Sequence, residues 1–222
     1  MKKQIDDFYV KCMSCKNAKN ECKGIWNNIE EGVPPRGFLY KASPVKILVV
    51  SKNPGFPTEG EPEKYKGKSG ESLLKAYRNH QSEFYGNLNK DKDRSHVFHR
   101  NTLEYFSFFL GVPNNVESIY RHIAHTNLVK CSNNYREQDK LNKETMEVCY
   151  KKFLLDEIKI FQPKVLIALG REVEKFLRKK ESSHKLPVIY IKHPSYYYRK
   201  EKKTEKLLEI KNEINKHLNS VV

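Results

Sequence analysis

Five cysteines are the first residues of this chain that could do chemistry, and their spacing sorts them. Cys12-Met-Ser-Cys15 puts two thiols on one short stretch, where both can bind a single centre. Cys131 follows an apolar run, and Cys149 falls within the next helical pattern. An odd cysteine count in a chain whose start, Met1-Lys-Lys-Gln-Ile-Asp-Asp, lacks an apolar leader argues against disulfides and for a metal or cluster. Cys12, Cys15, Cys131 and Cys149 together suit tetrahedral zinc and a [4Fe–4S] cluster alike, and spacing does not separate the two. Cys22 is left over and reads as structural. Three polar turns carry the remaining chemistry: Ser51–Pro57, Asn127–Asn133 and His193–Arg199. Their amides can donate and accept hydrogen bonds together, and an imidazole held beside Pro194 can donate one.

The elements that must position these turns follow from patterning. Val45–Val50, Lys164–Leu169 and Pro187–Lys192 are short β-branched runs of the kind that form buried strands, and His125–Val129 joins them as a fourth. Helices are expected from Gly70, over Asn101–Leu110 up to Gly111, over Lys143–Phe161, over Arg171–Lys180, and at the C-terminus through Leu207, Ile210, Ile214 and Leu218. Along Lys143–Phe161 the apolar face runs through Met146, Cys149 or Tyr150, Phe153 or Leu154, and Ile158. Strands alternating with helices predict an α/β fold, a three-layer α/β/α sandwich around a mainly parallel four-stranded sheet. In such sheets the site lies at the carboxyl ends of the strands, where the three polar turns fall. One domain is expected over residues 1–222. An irregular cysteine segment, 1–44, docks on it, and a polar stretch at 78–100 reads as an insertion or long surface loop.

Several short motifs occur in order: Asn53-Pro-Gly55 after a strand, Gly67-x-Ser-Gly70-x-x-Leu-Leu74, Thr126-Asn-Leu-Val-Lys-Cys131, Pro163-Lys-Val-Leu-Ile-Ala-Leu-Gly170 and His193-Pro-Ser-Tyr-x-x-Arg199. With Cys12-x-x-Cys15 they resemble the uracil-DNA glycosylase superfamily, and within it the iron–sulfur (family 4) enzymes. The resemblance covers Lys11–Cys15, Lys46–Leu74 and His125–Arg199. It implies a DNA glycosylase that hydrolyses the N-glycosidic bond of a flipped-out base. It favours a [4Fe–4S] cluster over zinc, with Cys12, Cys15, Cys131 and Cys149 as ligands. It makes His193 the donor to the departing base and Asn53 the residue that orients water. Lys52, Gly55, Tyr65, Asn127 and Ser195 would contact the base, with Asn127 reading its edge and Tyr65 stacking on it. Tyr196, Tyr197 and Arg199 would meet DNA, Tyr197 at the wedge position and Arg199 on a phosphate.

The first turn departs from family 4. Lys52 stands where an acidic residue is usual, and the acidic pair after Pro-Gly is missing; Asn-Pro-Gly is closer to the mismatch-specific and single-strand-selective relatives. Lys64-Tyr65 replaces the usual Pro-Phe. Uracil is the expected base. A different damaged or hypermodified base, as in phage DNA, and a cluster protein that binds nucleic acid without cleaving it are the alternatives.

Charge agrees with a polyanionic partner. Forty-two Lys and Arg against 27 Asp and Glu leave a net +15 over 222 residues, an excess that attracts nucleic acid but names no reaction. No apolar run is long enough to span a bilayer. A monomeric, cytoplasmic, DNA-binding protein is expected.

Overall fold

The computed structural model describes residues 2–16, 22–88, 96–133, 142–196 and 200–219. Its contacts group into two compact units assembled from interleaved segments. One comprises Met1–Phe38, Asn53–Gly86 and Asn127–Ile160; the other comprises Leu39–Lys52, Asn87–Thr126 and Phe161–Val222.

The second unit carries the sheet. β2 (Ile47–Ser51), β3 (Ile123–Asn127), β5 (Val165–Leu169) and β6 (Val188–Ile191) form a four-stranded parallel sheet in the order β3-β2-β5-β6. Every residue of β2, β3 and β5 is buried; β2 and β5 read as apolar runs for that reason, whereas β3, Ile123-Ala-His-Thr-Asn127, carries three polar residues and spans 123–127 rather than the expected 125–129. Ile47 pairs with Val165 and Leu166 with Val188, so β2, β5 and β6 are in step. Gly170, at φ 102°, turns the chain out of β5 into α8 (Arg171–Lys179). That helix packs on β5 and β6 through Val173 and Leu177. α10 (Lys200–Asn219) lies on the same two strands and on α4 (Val97–Leu110), burying Leu207, Ile210 and Ile214. Short helices α5 (Val116–Ile119) and α9 (Glu181–His184) complete this unit. The α/β fold with a parallel four-stranded sheet is thus the one predicted.

The first unit is helical, and two sequence expectations change there. The N-terminal segment is not irregular throughout: α1 spans Lys2–Met13. Ile5, Tyr9, Cys12 and Met13 form its buried stripe at helical spacing, between charged positions that obscure the pattern. The polar stretch expected as a loop from residue 78 is helical at its start, because α3 runs from Gly70 to Asn87, and α4 begins at Val97. Only the first half of α3 has an apolar face, of Leu73, Leu74 and Tyr77. Beyond it, polar contacts hold the helix: Arg78 pairs with Asp6, and the Gln81 amide donates to the Phe38 carbonyl at 2.7 Å. α2 (Glu61–Tyr65) precedes α3, and a small antiparallel ladder joins β1 (Ile25–Trp26) to β4 (Ser132–Asn133).

The long helix expected over 143–161 is present but not uniform. α6 (Lys143–Cys149) passes through a π-helical turn, Tyr150–Leu154, into α7 (Leu155–Phe161). A π turn holds one extra residue and rotates the downstream helix about its axis. Cys149, Tyr150, Phe153 and Leu154 are therefore all buried, and Glu157 replaces Ile158 on the inner face.

Candidate active site and thiol cavity

Each of the three sequence-predicted turns leaves a strand of the parallel sheet at its carboxyl end, after β2, β3 and β6. In the turn after β2, the Asn53 amide donates to the Pro54 carbonyl at 2.8 Å, leaving its Oδ1 as the acceptor. Arg36 clamps this turn. Its Nη2 donates to the Gly55 carbonyl and its Nη1 to Ser132 Oγ, both at 2.8 Å, while Nε pairs with Glu61 at 2.9 Å. Ser132 Oγ donates to the same Gly55 carbonyl at 2.9 Å. Both partners of the Arg36–Glu61 pair are buried, so the guanidinium is held as a rigid fork. In the sequence Arg36 carries no signal beyond an arginine between Pro35 and Gly37.

Asn127 ends β3 and is buried. Gly37, at φ 89°, lies against its amide: a Cβ on Gly37 would fall 1.8 Å from Asn127 Nδ2. Only glycine fits there, for conformation and for space. The Asn127 carbonyl accepts from Lys130 Nζ at 2.6 Å, and that ammonium also pairs with Glu157 at 2.7 Å. Tyr9 donates to the other Glu157 oxygen at 2.9 Å. Lys130 and Glu157 are almost wholly inaccessible, so this is a buried, hydrogen-bonded ion pair.

His193 sits two residues beyond β6. The Ser195 N–H donates to its Nδ1 at 3.3 Å, which places the proton of the neutral ring on Nε2. The ring lies 5.1 Å from Phe98 and 5.9 Å, edge to face, from Tyr196. Asn101 Nδ2 donates to the Pro194 carbonyl at 2.6 Å and fixes the turn. Burial, and then the charge of Lys52, lower the His193 pKa below the ordinary histidine value. Lys52 itself pairs with Glu172 at 2.8 Å. Phe98 and Asn101 lie in or beside the stretch expected as an insertion, and no local pattern marks them. His125, by contrast, is a structural histidine: Nε2 meets Ser51 Oγ at 2.7 Å and Nδ1 lies 3.4 Å from the Tyr120 hydroxyl.

Tyr65, expected as the base-stacking ring, is buried in the first unit, 5.9 Å from His80 and 6.2 Å from Tyr77. Gly55 and Ser195 are exposed, and Tyr196 is the most exposed large apolar side chain among the described residues, at 65%. Tyr197 and Arg199 lie outside the described residues.

The cysteines meet in the first unit. A cavity is lined by Cys15, Cys22, Cys131 and Cys149 together with Lys130 and Lys152. Cys12 does not line it. Cys22, expected to be structural, shares a hydrogen bond with the Cys149 thiol. All five cysteines are free thiols. Among the described residues no group of three or more His, Cys, Asp or Glu side chains is arranged to hold a metal ion. Four thiols lining one cavity are the donor set of a four-thiolate centre, and Lys152 lines the same cavity.

In open parallel α/β sheets ligands bind outside the carboxyl ends of the strands, where the histidine and asparagine turns begin. The sequence of the sheet region is more specific: a model of the Uracil DNA glycosylase superfamily matches residues 39–219. The chain belongs to that superfamily, whose members are in general DNA glycosylases, hydrolases of the base-excision pathway. The match begins downstream of Cys12, Cys15 and Cys22. No curated protein matches the chain significantly. No described helix is long and apolar enough to cross a membrane.

Proposed function

We propose that this protein is a monofunctional DNA glycosylase that excises a flipped-out base, uracil foremost, and leaves an abasic site. The observation that carries the reading is His193: a neutral imidazole, its Nδ1 engaged by backbone, at the carboxyl edge of a superfamily-matched sheet. Breaking the bond between the sugar C1′ and the base nitrogen sends the electron pair onto the base, and negative charge grows on its carbonyl oxygen. Nε2–H of His193 is the donor for that oxygen. Asn127 supplies an amide for the edge of the extruded base. Asn53 cannot act as a strong base, but its Oδ1 can orient the water that adds to C1′ once bond breaking has run ahead. That water gives its oxygen to C1′ and its proton to solvent. Lys52 is ion-paired with Glu172 at 2.8 Å, which supports the monofunctional reading over a Schiff-base route.

The same reading assigns a [4Fe–4S] cluster to the thiol cavity, with Cys15, Cys131 and Cys149 among its ligands. When bound, it supplies a covalent cross-link between separate chain segments rather than a step of the reaction.

The deciding experiment is mass spectrometry of bases released from uracil-containing, deaminated and phage-modified DNA, with borohydride present in parallel. Free uracil without strand cleavage and without a trapped adduct is expected. Release of another base instead would move the substrate, a trapped covalent adduct would end the monofunctional assignment, and binding without release from any substrate would leave a nucleic-acid-binding protein.

A further inference from the structure

The thiol cavity includes a residue that cysteine spacing does not single out. We propose that the fourth thiolate of this centre is Cys22 and not Cys12, so that the ligands are Cys15, Cys22, Cys131 and Cys149. The inference rests on the four-thiolate reading above and concerns which side chains make it.

Three contacts hold the segment that follows Cys22 beside the cavity. The hydroxyl of Thr145, itself fully buried, accepts from the Lys23 N–H at 2.9 Å and donates to the Lys23 carbonyl at 3.0 Å. Thr145 and Cys149 are four residues apart on α6 and so share a face. The backbone next to Cys22 is therefore fastened one helical turn from Cys149. Downstream, β1 pairs Trp26 with Ser132, which places the strand after Cys22 beside the residue that follows Cys131. Asn27 Nδ2, at the end of that strand, donates to the Cys15 carbonyl at 2.9 Å and ties the same segment to Cys15. Cys22 is thus stitched to the neighbourhood of each of the other three thiols.

Cys12 is near enough to Cys15 and Cys149 to interact with them electrostatically, but it does not line the cavity. It falls on the stripe Ile5, Tyr9, Cys12, Met13 by which α1 packs, and it is fully buried there. A small, apolar, buried cysteine in a packing stripe needs no ligand role to account for it. The Cys-x-x-Cys spacing is then incidental: its first member belongs to the core and its second to the cavity.

The test is a set of full-length single variants, Cys12→Ala, Cys22→Ala and Cys22→Ser, purified anaerobically beside the wild type. Iron and acid-labile sulfide per chain are measured, with visible absorption and EPR spectra and with circular dichroism as the fold control. The wild type and Cys12→Ala are expected to hold about four irons with the same spectrum. Cys22→Ala is expected to fall at least fourfold in iron or to give the signal of a three-iron cluster. Cys22→Ser is expected to keep a cluster with a shifted EPR signal, because an oxygen ligand replaces sulfur; a merely structural Cys22 would not move that signal. Loss of iron in Cys12→Ala, or wild-type iron and EPR in both Cys22 variants, overturns the assignment. If the wild type carries zinc, the cluster reading fails, but the same variants read by zinc content still decide between Cys22 and Cys12. A wild type that binds neither metal ends both readings.

Discussion

His193 is held from two directions, by Phe98 across its ring and by the Ser195 N–H on Nδ1. That hydrogen bond exists only while Nδ1 carries no proton. Protonation would set donor against donor and turn the ring away from its aim. Burial and Lys52 lower the pKa, so the neutral form persists to a pH below 6.5 and is lost only beneath that. The kcat/KM for base release should accordingly be flat above about pH 6.5 and fall with unit slope on its acid side, with a midpoint below the free-histidine value. His193→Ala should lower kcat by about 10²–10³-fold while DNA affinity is largely retained, because the lost donor acts on the transition state. An alkaline-shifted limb, or normal turnover in the variant, would remove His193 from its role. At this scale the positions of the histidine and both asparagines were legible, since each sits at or just beyond the end of a strand. Arg36, Gly37 and Asn101 were not. They act by holding a carbonyl or clearing space beside an amide, and no residue type or spacing advertises such work.

Among the elements, β2, β5 and β6 were the most legible, because a buried strand leaves an apolar run, whereas the polar β3 was placed two residues too late. The helix over 143–161 was found in outline, but its apolar face could not be assigned to single positions. The π turn supplies the reason: one extra residue lets two neighbouring side chains at each level face inward and brings Glu157 in behind them. A periodicity of 3.6 cannot express that change of phase, and an acidic residue is ordinarily counted as solvent-facing. Its partner, Lys130, was equally invisible, as the last residue before Cys131. This pair gives an element-scale prediction. Lys130→Met leaves Glu157 buried without its cation and frees the Asn127 carbonyl, so urea unfolding should show a loss of about 3–5 kcal/mol. A change under about 1 kcal/mol would mean that Glu157 takes up a proton or finds water at little cost.

For the whole molecule, the net charge of +15 sets the terms of encounter with DNA. Affinity for undamaged duplex should fall linearly on a log–log plot against salt, with a slope that counts the phosphates neutralised, readable by fluorescence anisotropy. A salt-independent affinity would separate the lysine content from DNA binding altogether. The order of segments carries a further consequence. The unit that contains the thiol cavity is gathered from Met1–Phe38, Asn53–Gly86 and Asn127–Ile160, with stretches of the sheet-bearing unit threaded between. On a ribosome the earliest thiols emerge long before Cys149, so an emerging chain must wait through most of its synthesis with unmatched sulfurs exposed to oxidants and stray metals. Loading of the proposed centre would in this sense be a late event in the life of the polypeptide, and a chain truncated anywhere before Cys149 would lack that sulfur donor.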